Sequence, residues 1–215
     1  MHPLFVCFIP FFFYWGTCGL FQCFLPKISK SKDEVNTVTP RKVLFNVIGV
    51  TLLATLGNFG LYYFNLLHHD MVRFLYILLG IWWIDTVEYF VHLTMHGTPF
   101  LYKLAHKEHH RLNIPYHYGA LYNSSYEANI TGSILTVGFI LFGFSFHEFI
   151  IVTSLANIAT VIDHVDLREY PLLRFLSKDN FHVLHHSKYQ NYNFQQPFFT
   201  YYDRFFGTYK NQKIE

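Results

Sequence analysis

Charged side chains are scarce in this sequence of 215 residues, in which Asp, Glu, Lys and Arg together make up 14%. Soluble domains usually contain about 25% of these residues. Hydrophobic residues account for 52% of the chain and aromatic residues for 20%, a composition that favours a lipid environment. The formal net charge of +2 and the lack of a basic run with interleaved aromatics argue against nucleic acid as a partner.

Cysteine is equally rare, and its three positions lie in one apolar segment. Cys7, Cys18 and Cys23 form no CxxC pair, and an odd number of cysteines in lipid does not make a disulfide framework. We interpret them as small hydrophobic residues. A glycine-rich nucleotide-binding fingerprint is also missing, because the glycines are scattered through apolar stretches. Any electrons that the protein needs must therefore come from a partner.

Long apolar runs make up much of the chain. A helix needs about 20 apolar residues to cross the hydrocarbon core of a bilayer. Residues 4–25 and 43–69 contain no Asp, Glu, Lys or Arg, and residues 71–91 form a third apolar run. Residues 128–147 and 149–162 are two further runs around a turn, which predicts a helical hairpin. A cleaved signal peptide is the alternative for residues 4–25, although that segment lacks a basic n-region and its apolar run is long.

These runs predict an all-α, polytopic membrane helical bundle with about three spans plus a helical hairpin. Residues 1–70 would supply two transmembrane segments joined by a basic loop, and residues 71–215 a second domain that contains the remaining apolar runs. Basic residues collect in cytosolic loops, and in this topology every lysine and arginine except Arg73 falls on one side. We therefore expect the histidine-rich block and the C-terminal tail to form a cytosolic cap.

Histidine is as abundant as Asp and Glu together, with 14 copies. Eight of them form three clusters: HLTMH at 92–96, HKEHH at 106–110 and HVLHH at 182–186. Helical residues at i, i+3 and i+4 are neighbours, so each cluster points two or three imidazoles at one place. Neutral imidazole binds zinc, iron or copper, and eight or nine nitrogens suit two metal ions with positions left open for a reactant. The candidate ligands, with His164 as the ninth, are His92, His96, His106, His109, His110, His164, His182, His185 and His186.

A histidine-rich, solvated surface is the alternative to a metal centre, but two identical HxxHH patterns are hard to obtain by chance. His117 and His147 are interpreted as structural. Asp85 and Glu88 precede the first cluster on one stripe of the same predicted helix, deeper in the membrane. A metal-bound histidine normally donates its other ring N–H to a carboxylate or carbonyl. The two carboxylates are therefore candidates for orienting the ligands, with helix packing as the alternative role.

The chain resembles the fatty acid hydroxylase/sterol desaturase superfamily of membrane di-iron enzymes over about residues 85–210. The first histidine box of that family reads DxxxYxxHxxxH and runs here from Asp85 to His96. Its second box, LYKxxHKxHH, reads "LYKLAHKEHH" here, and Pro115, Tyr122 and Glu127 keep the register that follows. The last stretch, from "HHSKYQNYNF" to "GTYK", is most similar to cholesterol 25-hydroxylases and 4-methyl sterol oxidases, with sterol 5-desaturases also close.

The resemblance implies an iron-dependent oxygenase that uses dioxygen to hydroxylate an unactivated C–H bond of a sterol or other lipid, with residues 71–215 as its catalytic domain. It implies two Fe ions at the candidate histidines, although zinc can replace iron in a purified sample because it lies above iron in the affinity order. It also implies cytochrome b5 or an NAD(P)H reductase as the electron donor, and the endoplasmic reticulum membrane as the location. The chain departs from the family pattern at Leu93, Ser124 and Ser125 and in "DHVDLREYP".

Two other activities fit the same histidine boxes. A desaturase of the same family would use them to remove two hydrogens from the lipid. A zinc-binding membrane hydrolase or scaffold would use them without oxygen chemistry, and dependence on a reductant distinguishes it from an oxygenase.

Overall fold

The computed structural model describes residues 3–25, 36–167, 170, 173–178 and 180–210, and the predicted basic loop lies largely outside this part, at residues 26–35. The described residues form helices and no β-strand apart from one isolated bridge. Short 3₁₀ and π turns connect some of the α-helices. In chain order the α-helices are α1 (Pro3–Cys7), α2 (Ile9–Phe24), α3 (Pro40–Tyr63), α4 (Phe74–Gly97), α5 (Pro99–Leu101), α6 (Ser125–Leu141), α7 (Phe146–Asp163), α8 (Phe181–Ser187) and α9 (Tyr201–Phe205).

The sequence predicted one membrane-spanning helix over residues 4–25. In the structure this segment is not one continuous helix. It divides at Phe8 into α1 and α2, of 5 and 16 residues. Pro10 has no N–H to donate to the carbonyl four residues earlier, so a new helix begins there. The segment is tied to its neighbours because Asn157 of α7 donates to the Pro10 carbonyl and Asn58 of α3 donates to the Cys7 carbonyl, each at 3.0 Å.

Three helices of the described part, α3, α4 and α7, are long and apolar enough to cross a membrane. Leu53 and Leu56 on α3 and Leu75 on α4 are exposed, as expected for side chains that face lipid hydrocarbon. The predicted hairpin is formed by α6 and α7, and both pack against α4. These observations confirm an all-α polytopic membrane bundle.

Close contacts hold α4 between α6 and α7. A Cβ atom at Gly138 of α6 would lie 2.2–2.4 Å from atoms of the Trp83 ring on α4. The same indole donates its Nε1–H to the Leu135 carbonyl at 3.1 Å. On the other side, a Cβ atom at Gly80 would lie 2.7 Å from Cγ2 of Val152 on α7. This packing positions α4, whose C-terminal end carries the first histidine cluster.

Arg73 fixes the connections near the N-terminal ends of α4 and α7. Its guanidinium donates to both carboxylate oxygens of Glu148 at 2.7–2.8 Å and to the Gly143 carbonyl at 2.8 Å. Glu148 also forms a capping box with Ser145 at the start of α7. The ion pair therefore holds the start of α4 to the turn between α6 and α7.

The C-terminal segment folds back beside the histidines around Asp203. This buried carboxylate accepts from the backbone N–H groups of Phe194 and Gln195 at 3.0 and 2.6 Å, and from the Thr208 hydroxyl at 2.7 Å. Hydrogen bonds to a charged acceptor are stronger than neutral ones. Asp203 thus fixes the backbone of the loop between α8 and α9, which passes beside α4.

Candidate metal centre

The nine candidate histidines meet in two groups at the ends of α4 and α7. Within each group the nitrogens that could bind a metal lie within 4.8 Å of one another. Every ring is buried except that of His96, which is partly buried. Group A contains His92, His96, His106, His110 and His185, and group B contains His109, His164, His182 and His186.

Each HxxHH motif divides its imidazoles between the two groups. His106 and His110 belong to group A, whereas His109 belongs to group B. In the second motif the outer two histidines belong to group B and the middle one, His185, to group A. Helical positions i and i+4 are separated by about 40°, whereas i+3 and i+4 are separated by about 100°. The two imidazoles at i and i+4 of each motif therefore belong to the same group, and the imidazole at i+3 belongs to the other group. Both groups thus contain histidines from both motifs.

Hydrogen bonds at Nδ1 hold most of the rings. The Nδ1 of His106 lies 2.7 Å from Oε1 of Glu127. Because a carbonyl oxygen can only accept, a ring that faces one through Nδ1 carries its proton there and presents the lone pair of Nε2. The carbonyl acceptors, at 2.6–3.0 Å, are Phe194 for His92, Tyr122 for His109, Thr160 for His164, Tyr192 for His185 and Leu112 for His186.

In group A the Nε2 atoms crowd around one ring. His110 Nε2 lies 3.0 Å from Nε2 of both His96 and His106, and 3.1 Å from Nε2 of His185. The rings of His106 and His185 place their Nδ1 protons on other acceptors, so His110 can share at most one proton with its neighbours. Lone pairs at this separation repel unless a cation lies between them. The donor set of group A therefore fits a metal ion.

Group B shows the same arrangement. The Nε2 atoms of His182 and His186 lie 3.1 Å apart, and Nε2 of His164 is buried without a hydrogen-bond partner, as is that of His92 in group A. Burial lowers the pKa of His109 to about 4 and the pKa of His164 to about 3, so these rings are neutral at neutral pH. A buried nitrogen without a partner is unfavourable, and a metal ion in group B would satisfy it.

Asp85 and Glu88, the carboxylates predicted to orient the ligands, have other partners. Asp85 accepts from the Gln195 side chain at 2.9 Å and from the backbone N–H groups of residues 198–199 at 2.8–2.9 Å. Within the described part of the chain, none of these bonds is to an imidazole. Glu88 hydrogen-bonds Gln196. Asp85 therefore supports the C-terminal loop, whose carbonyls in turn hold two of the rings.

In the part of the chain that the structure describes, Glu127 is the carboxylate that contacts a ligand ring. In the sequence it stands out only as part of the family register. Its position follows from the start of α6, where the Ser124 hydroxyl accepts from the Glu127 backbone N–H at 3.1 Å. The Ser-x-x-Glu pattern of a helix start is visible in the sequence. It predicts that Glu127 lies in the first turn of a helix, but not that this turn faces His106.

Tyr122 links the centre to charged residues at the surface. Its carbonyl accepts from His109 at 2.9 Å, and its hydroxyl donates to Glu108. Glu108 in turn pairs with Lys42 at 2.7 Å and with Arg111 at 3.1 Å. The loop that positions His109 is therefore anchored to the start of α3.

Two histidines interpreted as structural lie outside both groups. His117 is fully buried, and neither of its ring nitrogens has a hydrogen-bond partner. Burial lowers its pKa to about 4. His147 is exposed on the first turn of α7.

Comparison with known proteins agrees with this site. A family model described as fatty acid hydroxylase matches residues 77–208, which include both groups. The chain is similar to sphinganine C4-monooxygenase 2 of Arabidopsis thaliana, with 36% identity over 97% of this chain and 88% of that protein. It is 42% identical to sphinganine C4-monooxygenase 1 of the same plant, over 61% of this chain and 53% of that protein. It is 38% identical to sphingolipid C4-hydroxylase sur2 of Schizosaccharomyces pombe, over 61% of this chain and 47% of that protein. No solved structure matches. The chain belongs to the fatty acid hydroxylase family, within the superfamily that its histidine boxes indicated.

Proposed function

We propose that this protein is a membrane-bound di-iron monooxygenase that hydroxylates C4 of a sphingoid base or of its N-acylated form. The observation that carries the proposal is the coincidence of the family match with two adjacent, all-imidazole groups. The substrate is taken from the relatives, one of which is named for sphinganine and aligns with 97% of the chain. A sterol is the second candidate, favoured by the "NYNF" and "GTYK" motifs.

Groups A and B would each hold one Fe ion through their imidazole nitrogens. When bound, the irons supply the redox chemistry that activates dioxygen and inserts one oxygen atom into a C–H bond. The overall reaction consumes one dioxygen, two electrons and two protons per lipid, and it releases one water. The chain itself orients six of the nine rings through acceptors at Nδ1, and the packed helices around them exclude water.

The electrons would come from cytochrome b5 or from an NAD(P)H reductase on the cytosolic side of the endoplasmic reticulum membrane. The distribution of lysine and arginine supports this orientation. Lys103 and Lys107 are exposed next to the second cluster, where they would favour the approach of an acidic electron carrier.

The test is a comparison of lipid mass spectra from membranes that contain the wild-type protein, the variant His185→Ala or the control His147→Ala. We expect a sphingoid species that gains one oxygen with the wild type and the control, and that is absent with His185→Ala at equal expression. Loss of two hydrogens would instead make the protein a desaturase, and a modified sterol would make the sterol candidate correct. Identical spectra despite supplied iron and reductase would overturn the oxygenase and favour a zinc hydrolase or scaffold.

A further inference from the structure

Oxygen atoms without partners collect beside group A. Oε2 of Glu127 and Oε1 of Gln196 are both buried, and neither has a hydrogen-bond partner. The side chain of Gln196 forms a hydrogen bond with Glu88. Because Oε1 of Gln196 has no partner, the side-chain N–H of Gln196 is the donor in this hydrogen bond. Glu88 precedes His92 by one helical turn on α4, and the other oxygen of Glu127 faces His106. Glu127 therefore contacts a ligand of group A, Glu88 lies one helical turn from another, and Gln196 is connected to this pair through Glu88.

The two carboxyl groups among these side chains have no paired cation in the described part of the protein. Among the residues that the structure describes, neither Glu88 nor Glu127 pairs with a lysine or an arginine. Glu88 and Gln196 are only half-buried, so they can be approached from outside the packed core. Buried acceptors without donors are unfavourable, and a ligand that brings N–H or O–H groups would satisfy them.

The chemistry of C4 hydroxylation needs such acceptors. In a sphingoid base, hydroxyl and amino groups sit on the carbons that precede C4. An enzyme that brings C4 to a metal must therefore hold these donors close to the ligands. A site for the middle of a fatty acyl chain or for a sterol ring would need apolar walls at the same place.

We infer that Glu88, Gln196 and Glu127 form the subsite for the amino and hydroxyl groups of the substrate head. This inference rests on the proposed function. Two acidic residues alone would not make a site, but the two unpartnered buried oxygens, Oε2 of Glu127 and Oε1 of Gln196, indicate a ligand rich in donors. The two carboxyl groups favour the amine of the free base over the amide of an N-acylated base, since an ammonium group makes charge-assisted hydrogen bonds and an amide does not.

The experiment uses the full-length, iron-loaded protein in lipid nanodiscs. Binding of radiolabelled sphinganine, of N-acylsphinganine and of a long-chain diol without the amine is measured alongside product formation. For Glu88→Gln we expect Kd and KM for sphinganine to rise about 10-fold or more, with kcat and iron content unchanged. The diol should bind the wild type more weakly than sphinganine does and should be insensitive to the substitution. Asp70→Asn, which makes the same chemical change at an exposed position, is the matched control.

A second variant, Gln196→Leu, removes one unpartnered oxygen and serves where Glu88→Gln fails to fold or to load iron. Hydroxylation of sphinganine with unchanged Kd in both variants would overturn the subsite and leave the proposed function intact. Weaker sphinganine binding in the variants, with no oxidised product from any wild-type assay, would support the subsite and overturn the proposed function. Tighter wild-type binding of N-acylsphinganine than of sphinganine, unaffected by Glu88→Gln, would also overturn the subsite.

Discussion

Oε1 of Glu127 lies 2.7 Å from Nδ1 of His106, so the first turn of α6 orients a ring that belongs to the second histidine cluster. In the other candidate ligands whose Nδ1 forms a hydrogen bond, the acceptor is a backbone carbonyl. A carboxylate makes a stronger acceptor than a carbonyl, and it increases the basicity of the imidazole that donates to it. His106 is thereby set apart from the other members of group A.

Replacing Glu127 by leucine should weaken the binding of one metal ion and spare the other. Outer partners of metal-bound histidines typically contribute about 10- to 100-fold in affinity, and Glu127 contacts group A alone. Iron bound per protein, measured by mass spectrometry after dialysis against increasing chelator, should show one ion lost at lower chelator concentration. Asn129→Leu, at an exposed position of the same helix, should leave both ions in place. Equal weakening of both ions would contradict the assignment of Glu127 to group A.

Single histidine substitutions should separate the two groups. His110→Ala removes the ring at the centre of group A, and His182→Ala removes a ring of group B. If each group holds one ion, as proposed, each variant should bind about one metal ion and the wild type two, as counted from metal and protein content after purification. His147→Ala should keep both ions. A complete loss of metal in either variant would show that the groups bind as one unit and would contradict two independent sites.

Close packing between α4 and α6 predicts opposite effects at two glycines of α6. Gly138→Ala would place a methyl group 2.2–2.4 Å from Trp83, and overpacking of this kind typically costs about 1–3 kcal/mol of unfolding free energy. A Cβ atom at Gly132 meets nothing within 4 Å. Gly132→Ala should therefore be neutral or stabilise the helix by up to about 1 kcal/mol. Thermal unfolding in detergent distinguishes them, and a Gly138→Ala protein that melts at or above the wild-type temperature would refute the contact.

His117 should make stability depend on pH. Burial lowers its pKa to about 4, whereas an unfolded histidine titrates near 6.5. The unfolded state then binds more protons between these values, so the free energy of unfolding falls as pH decreases from about 6.5 towards 4. His117→Phe removes this contribution and should raise stability by about 1 kcal/mol at pH 7, because the ring nitrogens have no partners.

The measurement is the melting temperature of both proteins between pH 7 and pH 5. The ligand histidines are present in both, so the difference between the two curves isolates His117. We expect a shallower fall for the variant, and parallel curves would contradict the assignment.

The membrane helices could be predicted because a lipid environment imposes a length and excludes charge. The runs at residues 43–69 and 71–91 became α3 and α4, with ends displaced by several residues. The prediction for residues 4–25 missed a break, although Pro10 marked it. Nothing in the sequence between α3 and α4 indicated the Arg73–Glu148 ion pair. These two residues meet only because α7 packs beside α4.

The histidine spacing by itself pointed to eight of the nine residues that converge, because residues at i, i+3 and i+4 are neighbours on an α-helix. His164 has no histidine at such a spacing. Only the tertiary structure decided which group each ring joins, since that depends on the angle at which two short helical segments meet. It also decided the acceptors at Nδ1. Backbone carbonyls leave no trace in residue identity, and Glu127 contacts His106 only because α6 begins beside the second cluster. The sequence determines which residues are neighbours along one helix, and the packing of the helices determines the contacts between residues on different helices.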